Sequence, residues 1–268
     1  ILKKLSKKII YKKSFKRLLL IKYDNSDLIS SELSKDVEAR IIWGGDNTVN
    51  KFKSFITKPR CIDLAFANRY SISVIDSNKL GKLNSNDLAI LTKKFYNDTY
   101  TMDQFGCSSP NSVFWLGKNN IAKKNFWFEL SKIVNKKYDL DLSGANKKIS
   151  NLMNYTLGKN KRFKANIKNF NLITLKSKKL SFDNFENINF GTFLEINLHD
   201  INHLRKYTSE KLQTVTYYGT DFKSIKKFII NNKIKGIDRI VPIGRAFDLT
   251  PEWDGVDIIS TLSRTIGV

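Results

Sequence analysis

Short apolar runs alternate along this chain with longer segments in which apolar residues recur every three or four positions. The runs read as strands and the periodic segments as helices. Ile1–Tyr11, where lysines alternate with apolar residues, reads as an amphipathic helix, and Arg17–Tyr23 as a strand after it. A short helix is expected over Ser31–Val37, a strand over Ala39–Trp43 and a helix over Val49–Phe55. Strands Ile62–Phe66 and Ser71–Ile75 follow, then a helix Asn86–Tyr96 with Leu88, Ile90, Leu91 and Phe95 on one stripe. Beyond it lie a strand Ser112–Gly117, helices Asn125–Asn135 and Gly144–Leu157, and a basic connection over 159–168. Strands Asn171–Leu175 and Thr214–Tyr218 flank a mixed segment, and a helix Phe222–Asn232 and a strand Arg239–Ile243 complete the series. No internal repeat is visible. This alternation predicts an α/β fold.

Two connections stand out chemically. The strand Ala39–Trp43 runs into Gly44-Gly45-Asp46 and opens a helix containing Val49. Strand, paired glycines and helix is the arrangement in which backbone approaches a phosphate and the N–H groups of the first helical turn face it. Glycine used only for its freedom in φ is the alternative. The second connection is Asp103-Gln104-Phe105-Gly106-Cys107-Ser108-Ser109-Pro110-Asn111. It sets a cysteine among small and polar residues, where another molecule can reach the sulfur and hydrogen-bond donors are at hand. Cys61, beside an apolar strand, reads as a structural thiol.

Composition narrows the classes. The 268 residues include 41% hydrophobic ones, with 18 Phe and 10 Tyr, which suits a globular core. No apolar run approaches membrane-spanning length. With Cys61 and Cys107 as the only cysteines and no CxxC pair, neither a disulfide framework nor a structural zinc site is supported, and a cytoplasmic setting is the default. His199 and His203 share the spacing of one helix face but lack an evident third ligand, so no metal is assigned. The net charge of +22 is spread through every segment rather than gathered on one basic stripe. Specific nucleic-acid recognition is not indicated. Ile1 opens the sequence without a methionine, and the chain reads as the later part of a longer protein.

The order of these features resembles the aldehyde dehydrogenase superfamily, and within it the acyl-CoA reductase family that includes the fatty acid reductase of bacterial bioluminescence. The resemblance is carried by Trp43-Gly44-Gly45-Asp46, by Tyr70-Ser71-Ile72-Ser73-Val74-Ile75 and by Asp103-Gln104 leading to Cys107-Ser108-Ser109-Pro110. Gln213-Thr214-Val215-Thr216-Tyr217-Tyr218-Gly219 and the run from Asp238 to Arg264 add to it, so that it covers residue 35 to the C-terminus. It implies an aldehyde dehydrogenase-like architecture. Residues 1–70 would be the second part of a Rossmann-type nucleotide-binding domain, and 71–268 a catalytic domain. The terminal segment Ile258–Leu262 would be a strand that joins an oligomer sheet.

What the resemblance implies about chemistry is specific. Cys107 would be the nucleophile, and its own N–H one oxyanion donor, the second coming from an Asn in sequence this chain does not contain. Gly44, Gly45, Asp46 and Val49 would form the turn at the cofactor pyrophosphate, and Phe190 would approach the nicotinamide ribose. The Glu that usually precedes that Phe is replaced by Ile188, with Glu186 two residues earlier. The general-base Glu of hydrolytic members is also missing: the matching region reads Asp63-Leu64-Ala65-Phe66-Ala67. An acyl-cysteine protected from water suits a thioester reductase. The implied reaction is reduction of an activated fatty acyl group to aldehyde with NADPH, NADH being the alternative. The donor would be acyl-CoA or an acyl-protein, with an acyl-protein synthetase as candidate partner, and the protein a homo-oligomer. Other oxidoreductase chemistry of the superfamily, or a silent basic binding protein, are the competing readings. Gln104 is expected to orient the loop through hydrogen bonds, and Trp253 to anchor packing.

Overall fold

The computed structural model describes residue 4 and residues 7–157, 164–176 and 188–267. Its contacts divide the chain into two units, Ile1–Phe66 and Ala67–Val268.

In the first unit, helix α1 (Asp27–Asp36) starts where the Ser26 side chain accepts from the Ile29 N–H, a standard N-cap. Strand β1 (Ala39–Trp43) pairs in parallel with β2 (Ile62–Phe66), in register from Ala39 with Ile62 to Trp43 with Phe66. Helix α2 (Asp46–Ser54) joins them. Along β1, Arg40 and Ile42 are buried while Ile41 and Trp43 are exposed. A buried guanidinium demands partners, and Arg40 has a full set. It donates to both carboxylate oxygens of Asp63, to Ser34 Oγ at 3.1 Å and to the Phe52 carbonyl at 2.8 Å.

The expected strand Arg17–Tyr23 does not form, and Leu18, Leu19, Leu20 and Ile21 are exposed. An apolar run becomes a strand only by pairing with another strand, and no described strand pairs with this one. Nearby, the chain forms a 3₁₀ turn Ile9–Tyr11 and a helical turn Lys12–Phe15.

The second unit is built on a seven-stranded sheet in the order β5-β6-β7-β4-β3-β8-β9. Its strands are β3 (Tyr70–Asp76), β4 (Pro110–Leu116), β5 (Lys164–Asn169), β6 (Leu172–Lys176), β7 (Thr192–Asn197), β8 (Leu212–Tyr218) and β9 (Arg239–Pro242). All neighbours are parallel except the β5–β6 hairpin. Parallel sheets are covered on both faces, and β4 shows how. Val113 and Trp115 point into one apolar cluster, where Phe95, Phe126 and Trp127 pack; Phe114 points into the other, with Ile225 and Phe228. The helices that supply these side chains are α3 (Ser85–Tyr100) and α4 (Asn120–Lys137) on one side and α6 (Phe222–Asn231) on the other, with α5 (Leu142–Leu157) between α4 and β5 in sequence. Asn84, Asn119 and Asp221 cap α3, α4 and α6 through their side chains.

Three segments of this unit differ from the sequence reading. The mixed segment holds β7, and part of the basic connection forms β5. The terminal segment is a helical turn, Ile258–Thr261, and not a strand. Asp257 accepts from the Ser260 N–H at 3.0 Å and from its hydroxyl at 2.6 Å, which starts helix in place of extended chain. Among the described residues, no helix is long and apolar enough to cross a membrane.

Candidate functional site

The Cys107 loop connects α3 to β4, and its strained backbone locates the site. Asp103 and Gln104 have φ of 50° and 63°, and a second left-handed run, Asn189 (61°), Phe190 (52°) and Gly191 (74°), precedes β7. Residues with side chains adopt this region at a cost of order 1–3 kcal/mol each, so surrounding structure must over-determine it.

Here the two runs clasp each other. The Phe190 N–H donates to the Asp103 carbonyl at 3.1 Å, and the Gly191 N–H donates to Gln104 Oε1 at 2.8 Å. Gln104 Nε2 donates to the carbonyls of Pro110 at 3.2 Å and Thr192 at 3.4 Å, so a buried amide links the loop to the starts of β4 and β7. Gln104 therefore orients the loop as expected. The Phe105 and Phe190 rings meet edge to face at 5.1 Å, and Tyr138 donates to Asp103 at 2.6 Å. Burial, then the Asp103 carboxylate, raises the Tyr138 pKa, so its proton stays in place.

The sulfur-bearing end is fixed separately. Ser71 Oγ, on β3, donates to the Cys107 carbonyl at 2.6 Å and accepts from the Thr214 N–H of β8 at 3.2 Å. Ser109 Oγ donates to the Asp98 carbonyl at 2.8 Å. Ser108 and Ser109 are buried, whereas Cys107 is half-buried and in no disulfide. A Cβ on Gly106 would lie 2.7 Å from the Phe247 ring.

Phe247 belongs to a loop after β9 that sequence reasoning matched only as part of a long block. The buried Asp98 carboxylate accepts from the Gly244 N–H at 2.6 Å and the Ala246 N–H at 3.1 Å. Burial pushes Asp98 up to about 6 despite these bonds. Arg239, at the start of β9, donates to the carbonyls of Ala246, Arg245 and Asp248 and stacks on the buried Trp253 ring at 4.9 Å. Burial lowers its pKa, and the charges of Asp248, Asp98 and Cys107 counter that shift. Arg239 attracts a Cys107 thiolate more weakly than it attracts Asp248 or Asp98. A run of hydrophobic residues gave no reason to single it out.

These groups cluster at one rim of the sheet: Ser71, Cys107, Gly191, Thr214 and Arg239 all stand at the beginnings of parallel strands. Dinucleotide folds usually place ligands at the opposite, carboxyl ends.

The residues expected at a cofactor pyrophosphate lie together in the first unit. Gly44 and Gly45 connect β1 to α2 without positive φ. Gly45 has φ −68° and ψ 166°, which any residue adopts, and a Cβ there would meet nothing within 4 Å. At Gly44 a Cβ would meet Thr48 at 2.9 Å. Gly45 thus leaves open space beside main chain, and α2 has no side-chain cap over its first N–H groups. Asp46 is exposed, but Val49 is buried and its N–H already bonds the Gly45 carbonyl at 3.0 Å. Asp63 is engaged by Arg40 on both oxygens, which leaves it unsuited to act as a base. Phe190 is buried in the second unit, and Glu186 lies outside the described residues.

Asp200 supplies the third donor that the two histidines lacked in sequence. Donor atoms of His199, Asp200 and His203 lie within 4.8 Å of one another, on an exposed turn where Asp200 also caps the Asn202 N–H.

Known proteins match this arrangement. A family model described as acyl-CoA reductase (LuxC) matches residues 15–265. The chain superposes on an NAD-dependent aldehyde dehydrogenase from Sinorhizobium meliloti with a TM-score of 0.56 and 10% identity, over 83% of this chain and 46% of that one. An oxidoreductase from Marinobacter aquaeolei gives 0.55 and 11%, over 84% and 49%. The betaine aldehyde dehydrogenase of Staphylococcus aureus gives 0.52 and 12%, over 80% and 46%. These likenesses establish an aldehyde dehydrogenase-like fold, and the chain spans about half the length of each of these three structures. No curated protein matches in sequence.

Proposed function

Taking as premise that the chain belongs to the acyl-CoA reductase (LuxC) family, we propose that it reduces a fatty acyl thioester to the aldehyde through an acyl-cysteine on Cys107. The observation that carries this reading is a half-buried cysteine in a loop of small residues that left-handed backbone and its hydrogen bonds clasp. A nucleophile needs that combination of access and rigid placement.

The Cys107 thiolate attacks the thioester carbonyl, a carbon–sulfur bond forms, and the donor's thiolate leaves with its electron pair. Sulfur replaces sulfur, so this exchange is close to balanced. The Cys107 N–H would be a donor to the developing oxyanion. Asp63 is held by Arg40, which leaves the acyl-enzyme without that carboxylate as an activator of water. A bound nicotinamide cofactor, NADPH by preference, would supply hydride. Gly44, Gly45 and the start of α2 would hold its pyrophosphate. Release of aldehyde returns the thiolate.

The donor, acyl-CoA or an acyl-protein, the synthetase partner, assembly into a homo-oligomer and a cytoplasmic setting belong to the same proposal. Its test is incubation of the protein with radiolabelled acyl-CoA, followed by hydroxylamine. A hydroxylamine-labile adduct on Cys107, with aldehyde formation lost in Cys107→Ser and nicotinamide binding retained, is the expected result. Undiminished aldehyde output from that variant sinks the mechanism.

A further inference from the structure

Lys148, on α5, is fully buried, and burial pushes its pKa down to about 7. Among the described residues no carboxylate offsets that burial. Its Nζ instead donates to two backbone carbonyls, Phe170 at 2.5 Å and Phe190 at 2.6 Å, and lies 5.2 Å from the centre of the Phe170 ring. Both bonds survive loss of the proton, since a neutral amine keeps two N–H donors.

The two acceptors belong to turns that press against each other. Phe170 is in the turn between β5 and β6, and Phe190 is in the left-handed run before β7. A Cβ on Gly191 would sit only 2.0 Å from the carbonyl oxygen of Asn171. Two backbones that approach this closely, each directing a carbonyl into one pocket, repel unless a donor stands between them. One turn further along α5, Asn151 Nδ2 donates to the Ile188 carbonyl at 3.2 Å, so the helix holds the run at two points. From the opposite side the run is held by Asp103 and Gln104 of the cysteine loop.

The geometry points to Lys148 as a positioning residue: by bonding the carbonyls of Phe170 and Phe190 it fixes the left-handed turn on which the Cys107 loop is clasped. Lys148 touches neither the sulfur nor a reacting group and acts through the turn. The inference rests on the proposed function only in taking Cys107 as the reactive thiol.

The test reads that thiol directly. The second-order rate of Cys107 alkylation by iodoacetamide is measured in a Cys61→Ser background, with unfolding followed in parallel. Lys148→Met is expected to slow alkylation about tenfold while the protein remains folded, because the turn that clasps the Cys107 loop is no longer held. Lys123→Met is the control. Lys123 is also buried, but bonds Asn197 and the Gly117 carbonyl, and its loss should leave the rate within twofold. A change of twofold or less in folded Lys148→Met overturns the proposal, as does an equal slowing in the control. Should Lys148→Met not fold, Asn151→Ala decides: a threefold slowing supports the clamp, and an unchanged rate overturns it. Alkylation needs neither acyl donor nor cofactor, so failure of the thioester chemistry would leave this result standing.

Discussion

The bends at Gly44–Gly45 and at Cys107 both border a strand, yet they are built in opposite ways. The glycine turn uses ordinary backbone angles and leaves space above them. The cysteine loop uses forbidding angles at Asp103 and Gln104 and fills the space around them with hydrogen bonds. One bend is open at Gly45, and the other is packed with bonds that hold its backbone still. Substitutions should therefore act in different currencies: binding at the first bend, folding and reactivity at the second.

The sharpest break comes at Gly191. Its φ of 74° and the 2.0 Å approach to Asn171 leave no room for a methyl group. Gly191→Ala should lose more than about 4 kcal/mol, enough that little folded protein is recovered at 37 °C. Wild-type yield and melting temperature would contradict the clasp. Next is Gln104→Leu, which strands the Gly191 N–H and the carbonyls of Pro110 and Thr192. At about 1 kcal/mol or more for each buried group left unpaired, roughly 3 kcal/mol should disappear in urea titration, with slower alkylation of Cys107.

A smaller effect follows from Asp98. Its folded pKa, about 6, lies above the ordinary carboxylate value of 3.8. The folded state therefore binds the proton more tightly, and this group's contribution falls as pH rises from about 4 to 6. Unfolding free energies across that window should fall by roughly 2 kcal/mol relative to Asp98→Asn, which cannot titrate. Parallel pH profiles for the two proteins would remove Asp98 as the cause.

The smallest stability change belongs to the other bend. Gly45→Ala places its methyl group in open space and should shift stability by no more than about 0.5 kcal/mol, yet weaken nicotinamide dinucleotide binding severalfold in a direct titration. Equal affinity would take the pyrophosphate away from this turn. Gly44→Ala, which crowds Thr48, should cost about 1 kcal/mol.

The difference between the bends also explains what was legible in sequence. Paired glycines after an apolar strand announce themselves, and so does a cysteine between glycine and serines. The strands β1, β3, β4 and β8 were plain because branched and aromatic residues dominate them. Strand β7 was not, since Thr192, Glu195 and Asn197 interrupt its apolar pattern. Glu195 is tolerated inside because the indole N–H groups of Trp115 and Trp127 donate to it at 2.9 and 2.7 Å. Those tryptophans are far off in sequence, on β4 and α4. Arg17–Tyr23 misled for the converse reason: its residues suit a strand, but pairing depends on an edge elsewhere. Positive φ at Gln104 and Phe190 left no trace at all, because neither residue type favours that conformation. Lys148 was likewise one lysine among many until the fold showed where its amine ends.

Most of the bonds that fix the Cys107 loop end on peptide atoms: the N–H groups of Phe190, Gly191, Thr214, Gly244 and Ala246, and the carbonyls of Asp98, Cys107, Pro110 and Thr192. Every amino acid except proline brings both kinds of atom to any position. A lineage can thus rewrite nearly its whole alphabet around the sulfur and inherit the same scaffold, provided a handful of anchors such as Gln104, Asp98 and Ser71 stay at their posts.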